Sequence, residues 1–88
     1  MLEHESVESI HWTGDLDDDC TAKWSGLLLR AEWMNGHRWW WAVTDAASCQ
    51  EIDSSNNDAY IGFEFTSGRV ARAAAEKAAR EYRRQRPG

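Results

Sequence analysis

The chain is predicted to fold as an α+β domain: an antiparallel β-meander of three to four strands with one C-terminal α-helix packed on one face. Three observations carry this expectation. Apolar residues between Val7 and Phe65 recur at strand spacing, an Asn35-Gly36 turn signal divides two aromatic runs, and from Ser67 the pattern changes to the period of an amphipathic helix. At 88 residues the chain makes a single domain spanning 1–88, with strands within 6–65 and the helix over about 67–85. That length is near the size at which one core gives only marginal stability. Six tryptophans supply much of the needed apolar area, since each large aromatic buries roughly 150–250 Å² when enclosed.

Ser6 to Thr13 carries Val7, Ile10 and Trp12, ends at Gly14-Asp15, and reads as the first strand. Asn-Gly tolerates the positive φ angles of a tight type I′ turn, so Asn35-Gly36 predicts a hairpin with arms at roughly Ala22 to Met34 and His37 to Thr44. Gly26 marks a bulge or bend in the first arm. The stretch from Ser48 to Asp58 is rich in Ser, Asn and Asp, which bond locally to the backbone, and reads as a long mobile loop. Tyr60 to Phe65 alternates, placing Ile61, Phe63 and Phe65 on one face of a last strand. In the helix, Val70, Ala74, Ala78 and Tyr82 fall at i, i+4 spacing with Ala71, Ala75 and Ala79 on the adjoining row. Thr66 or Ser67 caps its start, Arg80, Arg83 and Arg84 suit the carbonyl end of its dipole, and Pro87-Gly88 stops it.

A two-residue Asn35-Gly36 loop sets Met34 opposite His37, Glu32 opposite Trp39, Arg30 opposite Trp41 and Leu28 opposite Val43. One face then receives Leu27, Leu29, Ala31, Trp33, Trp40 and Ala42 and lies under the helix. The other receives Leu28, Arg30, Glu32, Met34, His37, Trp39, Trp41 and Val43, and its charges make it the wet face. Trp39 and Trp41 beside Arg30 have the composition of a binding hot spot. The plainer alternative is that the rings only cover the sheet, with the Arg30 stem stacked on Trp41. A three-residue loop would shift the register by one and expose Trp40 and Trp33 instead.

Charge is divided by position. Met1 to Thr66 holds thirteen Asp/Glu against three Lys/Arg, whereas Ser67 to Gly88 holds seven Lys/Arg against two Asp/Glu. Such a bipolar field governs approach to a partner rather than folding. The densest acidic run is Asp15-Leu16-Asp17-Asp18-Asp19. Asp15, Asp17 and Asp19 match the first positions of a calcium loop, but Cys20 and Gly26 stand where that loop needs Gly and Glu. No metal is expected. A solvated acidic loop is the plain reading of the run. The functional reading is that Asp15, Asp17, Asp18 and Asp19, with Glu3, Glu5, Glu8 and the Asp53 to Asp58 loop, imitate spaced phosphates; duplex DNA carries about one charge per 1.7 Å of axis.

Motifs for catalysis are absent: His4, His11 and His37 lack metal-ligand spacing, and no nucleophile elbow, P-loop or dinucleotide fingerprint occurs. No enzyme activity and no cofactor are expected. Cys20 and Cys49 read as free thiols, and the N-terminus lacks both a basic start and an apolar run, so a cytoplasmic location without membrane contact follows by default.

The layout from Trp39 through Tyr82, strands followed by the alanine-rich helix of Ala71 to Ala79, resembles one found in small phage proteins. It is also similar to the three-strand-plus-helix DNA-binding domains of plant ethylene-response factors and phage integrases. Those domains place basic residues on the exposed sheet, whereas this sheet region offers only Lys23, Arg30 and Arg38, which counts against direct DNA binding. A small acidic phage-type protein with an exposed aromatic face is similar instead to the anti-CRISPR inhibitors. That resemblance implies a non-enzymatic inhibitor whose partner is a host nucleic-acid-handling complex, such as a CRISPR effector. Asp15, Asp17, Asp18, Asp19, Arg30, Glu32, Trp39 and Trp41 are its candidate contact residues. The rival expectation is a small DNA- or RNA-binding domain using Arg69, Arg72, Lys77, Arg80, Arg83 and Arg84 on the helix. A third is a homo-oligomer joining the basic helix to the acidic sheet of a neighbour.

Overall fold

A computed structural model describes residues 9–85. Five strands run in the order of the chain: β1 (Thr13–Asp15), β2 (Asp19–Trp24), β3 (Leu27–Asn35), β4 (Arg38–Asp45) and β5 (Glu51–Ser54). All neighbouring pairs are antiparallel. A 3₁₀ turn (Asp58–Tyr60) and the helix α1 (Gly68–Gln85) follow. The helix lies over β3 and β4 and covers one face of the sheet. The α+β class and the C-terminal helix thus stand as expected, with five strands in place of three to four.

The extra strands have local causes. The expected arm from Ala22 to Met34 is broken at Ser25-Gly26, which adopt φ of 53° and 77° and join Trp24 to its partner Leu27. Two positive φ angles in succession are what a type I′ turn needs, so Gly26 makes a chain reversal and not a bulge. Asparagine tolerates this conformation better than serine. Ser25→Asn is therefore expected to stabilise the domain by about 0.5–1 kcal/mol, read as a higher midpoint in chemical denaturation.

The first strand is shorter and later than expected. Residues 6–8 of the predicted strand, like Glu3, Glu5 and Glu8, lie outside the described residues. Ile10 and Trp12 precede β1 and pack against the core, and the Trp12 indole N–H donates to Glu76 Oε2 on the helix at 2.8 Å.

The segment expected to be a loop holds β5, whose Ser54, Asp53 and Glu51 pair with Ala42, Val43 and Thr44. Tyr60 to Phe65, expected to be the last strand, is not one. Asn57 caps the 3₁₀ turn by accepting from Ala59 N at 3.0 Å, and Gly62 at φ 84° reverses the chain before it can extend. Phe65 alone of the predicted apolar face is buried; Ile61 and Phe63 point to solvent.

Asn35-Gly36 does mark the hairpin, but with another register. Asn35 pairs with Arg38, so Gly36-His37 form the turn, and Met34 is bulged between the Trp33↔Trp39 and Asn35↔Arg38 pairs. Beyond the bulge Glu32 opposes Trp40, Ala31 opposes Trp41 and Leu29 opposes Val43. A one-residue slip moves every side chain of β4 to the other face. Trp41 and Val43 therefore join Leu27, Leu29 and Ala31 under the helix, and the expected exposure of Trp41 is corrected to complete burial. The slip buries the larger apolar set and leaves Trp40, rather than Trp41, beside Arg30 and Glu32.

Ser67 caps the helix, its Oγ accepting from Val70 N at 3.2 Å. Ala71, Ala75, Ala78 and Ala79 are its buried residues, while Val70, Ala74 and Tyr82 are only partly covered. The row predicted to adjoin the stripe is thus its centre. Small side chains let the helix approach closely and leave volume for Trp41, Tyr60 and Phe65, whose rings meet edge-on at centroid distances of 5.4–5.8 Å. Cys20 and Cys49 are unbridged, the first buried and the second exposed.

Candidate partner-binding surface

The acidic turn is built from backbone bonds that leave its carboxylates outside. Asp15 O accepts from Asp18 N at 3.0 Å, Asp15 Oδ1 accepts from Asp17 N at 2.9 Å, and Gly14 supplies the φ of 96° that starts the reversal. Two longer ties hold the turn in place. Asp18 O accepts from Trp33 N at 2.6 Å, and Leu16 O accepts from Arg72 Nη1 of the helix at 2.9 Å. Asp15, Asp17, Asp18 and Asp19 are all exposed. They lie at the end of the molecule where α1 begins, so their charge complements the positive end of its dipole.

Asp19 leads from this turn onto the open sheet face, opposite Glu32. Arg30 Nη2 lies 3.6 Å from Asp19 Oδ1 and 3.9 Å from Glu32 Oε1, and its guanidinium carbon is 5.6 Å from the Trp40 ring centre. The structure thus gathers Asp19, Arg30 and Glu32 of the predicted contact set around one indole, but that indole is Trp40. Trp39 is half-buried with its ring edge against Gly68, so neither of the two predicted anchors lies free on the open face.

Of the apolar groups that do reach solvent, Met34 was expected on the wet face and Trp33 only in the alternative register, whereas Leu16, Ile61 and Phe63 were not expected there. Leu16, Trp33, Met34, Ile61 and Phe63 are 46%, 44%, 54%, 81% and 62% exposed. They occupy the β1–β2 turn, the β3–β4 tip and the segment before the helix. These three segments meet: Trp33 N bonds to Asp18 O, Trp39 N donates to Phe65 O at 2.9 Å, and Gly68 sits between Leu16 O and the Trp39 ring. Phe63 stands as a ridge between two grooves. One, of about 270 Å³, runs toward Met34, Arg38 and Trp40; the other, of about 320 Å³, runs toward Tyr60, Val70 and Lys77. The signal for Trp33 was the alternative register, and for Ile61 and Phe63 it was Gly62 between them, which interrupts a strand.

Tyr60 closes the floor of the second groove. Its hydroxyl donates to Asp53 Oδ2 at 3.1 Å, and burial, reinforced by that carboxylate, pushes its pKa above the ordinary 10.0. A folded-state pKa raised above the unfolded value gives stability that is complete below pH 10 and lost as pH rises through the folded value. Asp53→Asn is expected to move the Tyr60 titration, followed by phenolate absorbance, part of the way back toward 10.0 while burial holds the rest of the shift. Asp45, at the far end of β4, is held below its usual range by the Ser48 and Ala47 backbone amides. It is a turn-capping group.

The helix arginines are largely engaged within the molecule. Arg72 bonds Leu16 O, Arg83 Nε bonds Ser25 O at 2.9 Å, and Arg80 lies 5.2 Å from the Trp24 ring centre. Arg69, Lys77 and Arg84 are exposed. Among the described residues no group of three or more His, Cys, Asp or Glu is placed to hold a metal ion, and no helix is long and apolar enough to cross a membrane. No family model matches the chain, and neither a curated protein nor a solved structure matches it.

Proposed function

We propose that the protein is a non-enzymatic inhibitor of the anti-CRISPR kind, which enters a basic nucleic-acid-binding groove of a host protein complex and blocks access of nucleic acid. The observation that carries this is the anchoring of the Asp15–Asp19 turn at both Trp33 and Arg72. Carboxylates on a turn so held are preorganised, and a rigid charge array loses little entropy when it binds. The Asp19–Arg30–Glu32 group extends the same negative surface onto the sheet. Direct nucleic-acid binding by the helix has less support, because Arg72, Arg80 and Arg83 already have intramolecular partners.

The test starts with capture from a nuclease-treated bacterial lysate and continues with the purified partner. Changing Asp15, Asp17, Asp18 and Asp19 together to Asn keeps each turn acceptor and removes four charges. Association is expected to slow about tenfold at low salt, with a flatter salt dependence and a nearly unchanged dissociation rate. Competition by a DNA oligonucleotide should displace the protein. Unchanged association, or capture of bare nucleic acid instead of a protein complex, would remove the proposal.

A further inference from the structure

The two flanks of α1 are used differently. On one, Arg72 holds the acidic turn through Leu16 O and Glu76 accepts from the Trp12 indole. The opposite flank, with Val70, Ala74, Lys77 and Glu81, borders the groove of about 320 Å³ beside Phe63. Next to that groove stand the two most exposed large apolar side chains among the described residues, Ile61 at 81% and Phe63 at 62%. Their segment is fixed by its own backbone: Ile61 N donates to Asp58 O at 3.2 Å and Phe63 N donates to Tyr60 O at 2.9 Å. Between them, no atom lies within 4 Å of the place where a β-carbon on Gly62 would stand. Ile61 is thus held out as a projection that nothing among the described residues covers.

Beside the projection is a recess of matching chemistry. Tyr60, Phe65, Val70, Ala74 and Ala78 line the groove, and Phe63 forms a wall supported by Phe65 at a ring-centre distance of 5.0 Å. The only charged residues lining it are Lys77 and Glu81, one turn apart on the helix. In the order Lys then Glu, an i, i+4 pair is the less favourable arrangement within a helix. Neither side chain is ion-paired among the described residues. The patch therefore carries an apolar projection and an apolar recess, an unpaired cation and an unpaired anion. A patch made for a partner of another sequence has no need to contain its own complement; this one does, in shape and in charge.

We infer that this patch binds a second copy of the chain about a two-fold axis, with Ile61 of each copy seated in the groove of the other and Lys77 of each paired with Glu81 of the other. An isologous contact requires one surface to supply both halves of every interaction. Ile61 is β-branched and has little side-chain freedom to lose on insertion. The net negative charge of the two copies does not oppose the contact, because the Asp15–Asp19 turns lie on the far flank of each helix and charges separated by more than about 8 Å of solvent are screened at physiological salt. The patch is smaller than the roughly 20–30 residues a side of a standard interface, so the dimer is a weak one with a Kd on the order of 10–100 µM. It leaves both acidic turns outside, and the inference does not depend on the function proposed for them.

The experiment is sedimentation of the purified protein from about 1 µM to about 500 µM, a range that brackets this constant. The natural protein is expected to pass from monomer to dimer. Ile61→Ser should weaken the dimer by at least about tenfold, because each dimer loses two buried isoleucines. Its thermal melt at low concentration should match that of the natural protein, since Ile61 is not part of the core. Lys77→Glu and Glu81→Lys should each weaken self-association about three- to tenfold, whereas an equal mixture of the two variants should dimerise as the natural protein does. That recovery arises only if the two residues meet across the contact. A natural protein that stays monomeric up to the highest concentration would overturn the inference and leave the patch to a partner of another sequence. A dimer indifferent to Ile61→Ser, or a mixture no better than its components, would overturn it too. Replacing Asp15, Asp17, Asp18 and Asp19 by Asn should leave the dimer intact; its loss there would mean that a basic helix meets an acidic turn instead, and would equally sink the two-fold contact.

Discussion

Trp41→Ala is expected to cost about 3–5 kcal/mol, the range for emptying a large aromatic site in a core. Trp41 is 0% exposed and is the largest fully buried side chain among the described residues. For a domain of this length total stability is on the order of 4–13 kcal/mol, so the variant should be partly or wholly unfolded at 37 °C. Urea denaturation followed by circular dichroism would measure the loss. Trp40→Ala, on the open face beside Arg30, should cost less than about 1 kcal/mol. The contrast decides the hairpin register, because the pairing expected from a two-residue Asn35-Gly36 loop predicts the opposite order. If Trp40→Ala unfolds the protein and Trp41→Ala does not, the sheet faces assigned here are inverted. Trp41→Phe should be milder than its lost volume implies. The Trp41 indole N–H is buried without a hydrogen-bond partner, and replacing it removes an unsatisfied donor that costs about 1–3 kcal/mol.

The second large effect is expected at Gly68. A β-carbon there would lie 2.8 Å from Arg72 Nη1, 2.9 Å from Trp39 Cη2 and 3.0 Å from Leu16 O. The arginine end could swing away, but it would then lose its bond to Leu16 O. The Trp39 ring and the Leu16 backbone are harder to move. Overpacking of this kind costs about 1–3 kcal/mol, against which the helix preference of alanine over glycine returns less than about 1 kcal/mol at a first-turn position. Gly68→Ala should therefore lower the melting temperature by several degrees, at about 4–8 °C per kcal/mol for a domain of this size. It should also loosen the acidic turn, since the helix start and Leu16 would have to separate. A variant as stable as the natural protein would mean that the helix does not approach the turn so closely. Because Gly68 underlies both the turn and the Trp39 ring, the substitution couples stability to the docking surface.

Much of the architecture was legible in the sequence because it depends on local chemistry. The Ser67 cap, the alanine rows and the terminal arginines specify a helix within a few residues of Gly68–Gln85, since each signal acts over one or two turns. Asn35-Gly36 likewise marks a hairpin wherever the chain goes afterwards. The Asp15–Asp19 run had to be a solvated turn in any fold, and it is.

Register, strand count and the identity of the exposed aromatics were not legible, and the reason is common to all three. Each depends on which of two nearly equal local choices buries more apolar area once the helix is in place. Met34 is bulged, so that Trp41 and Val43 enter the core with Leu29; Ser25 accepts a left-handed conformation, so that Cys20 and Ala22 reach the same face. Ser48 to Asp58 read as loop by composition, yet Glu51, Asp53 and Ser54 find β4 to pair with. The same holds for the candidate surface. Four carboxylates could be named from the chain alone, because charge requires water. That Trp33 lies beside them, and that Met34 shares a groove with Phe63, follows only from distant segments meeting near the start of the helix, where long-range packing, and not local preference, sets the lower free energy.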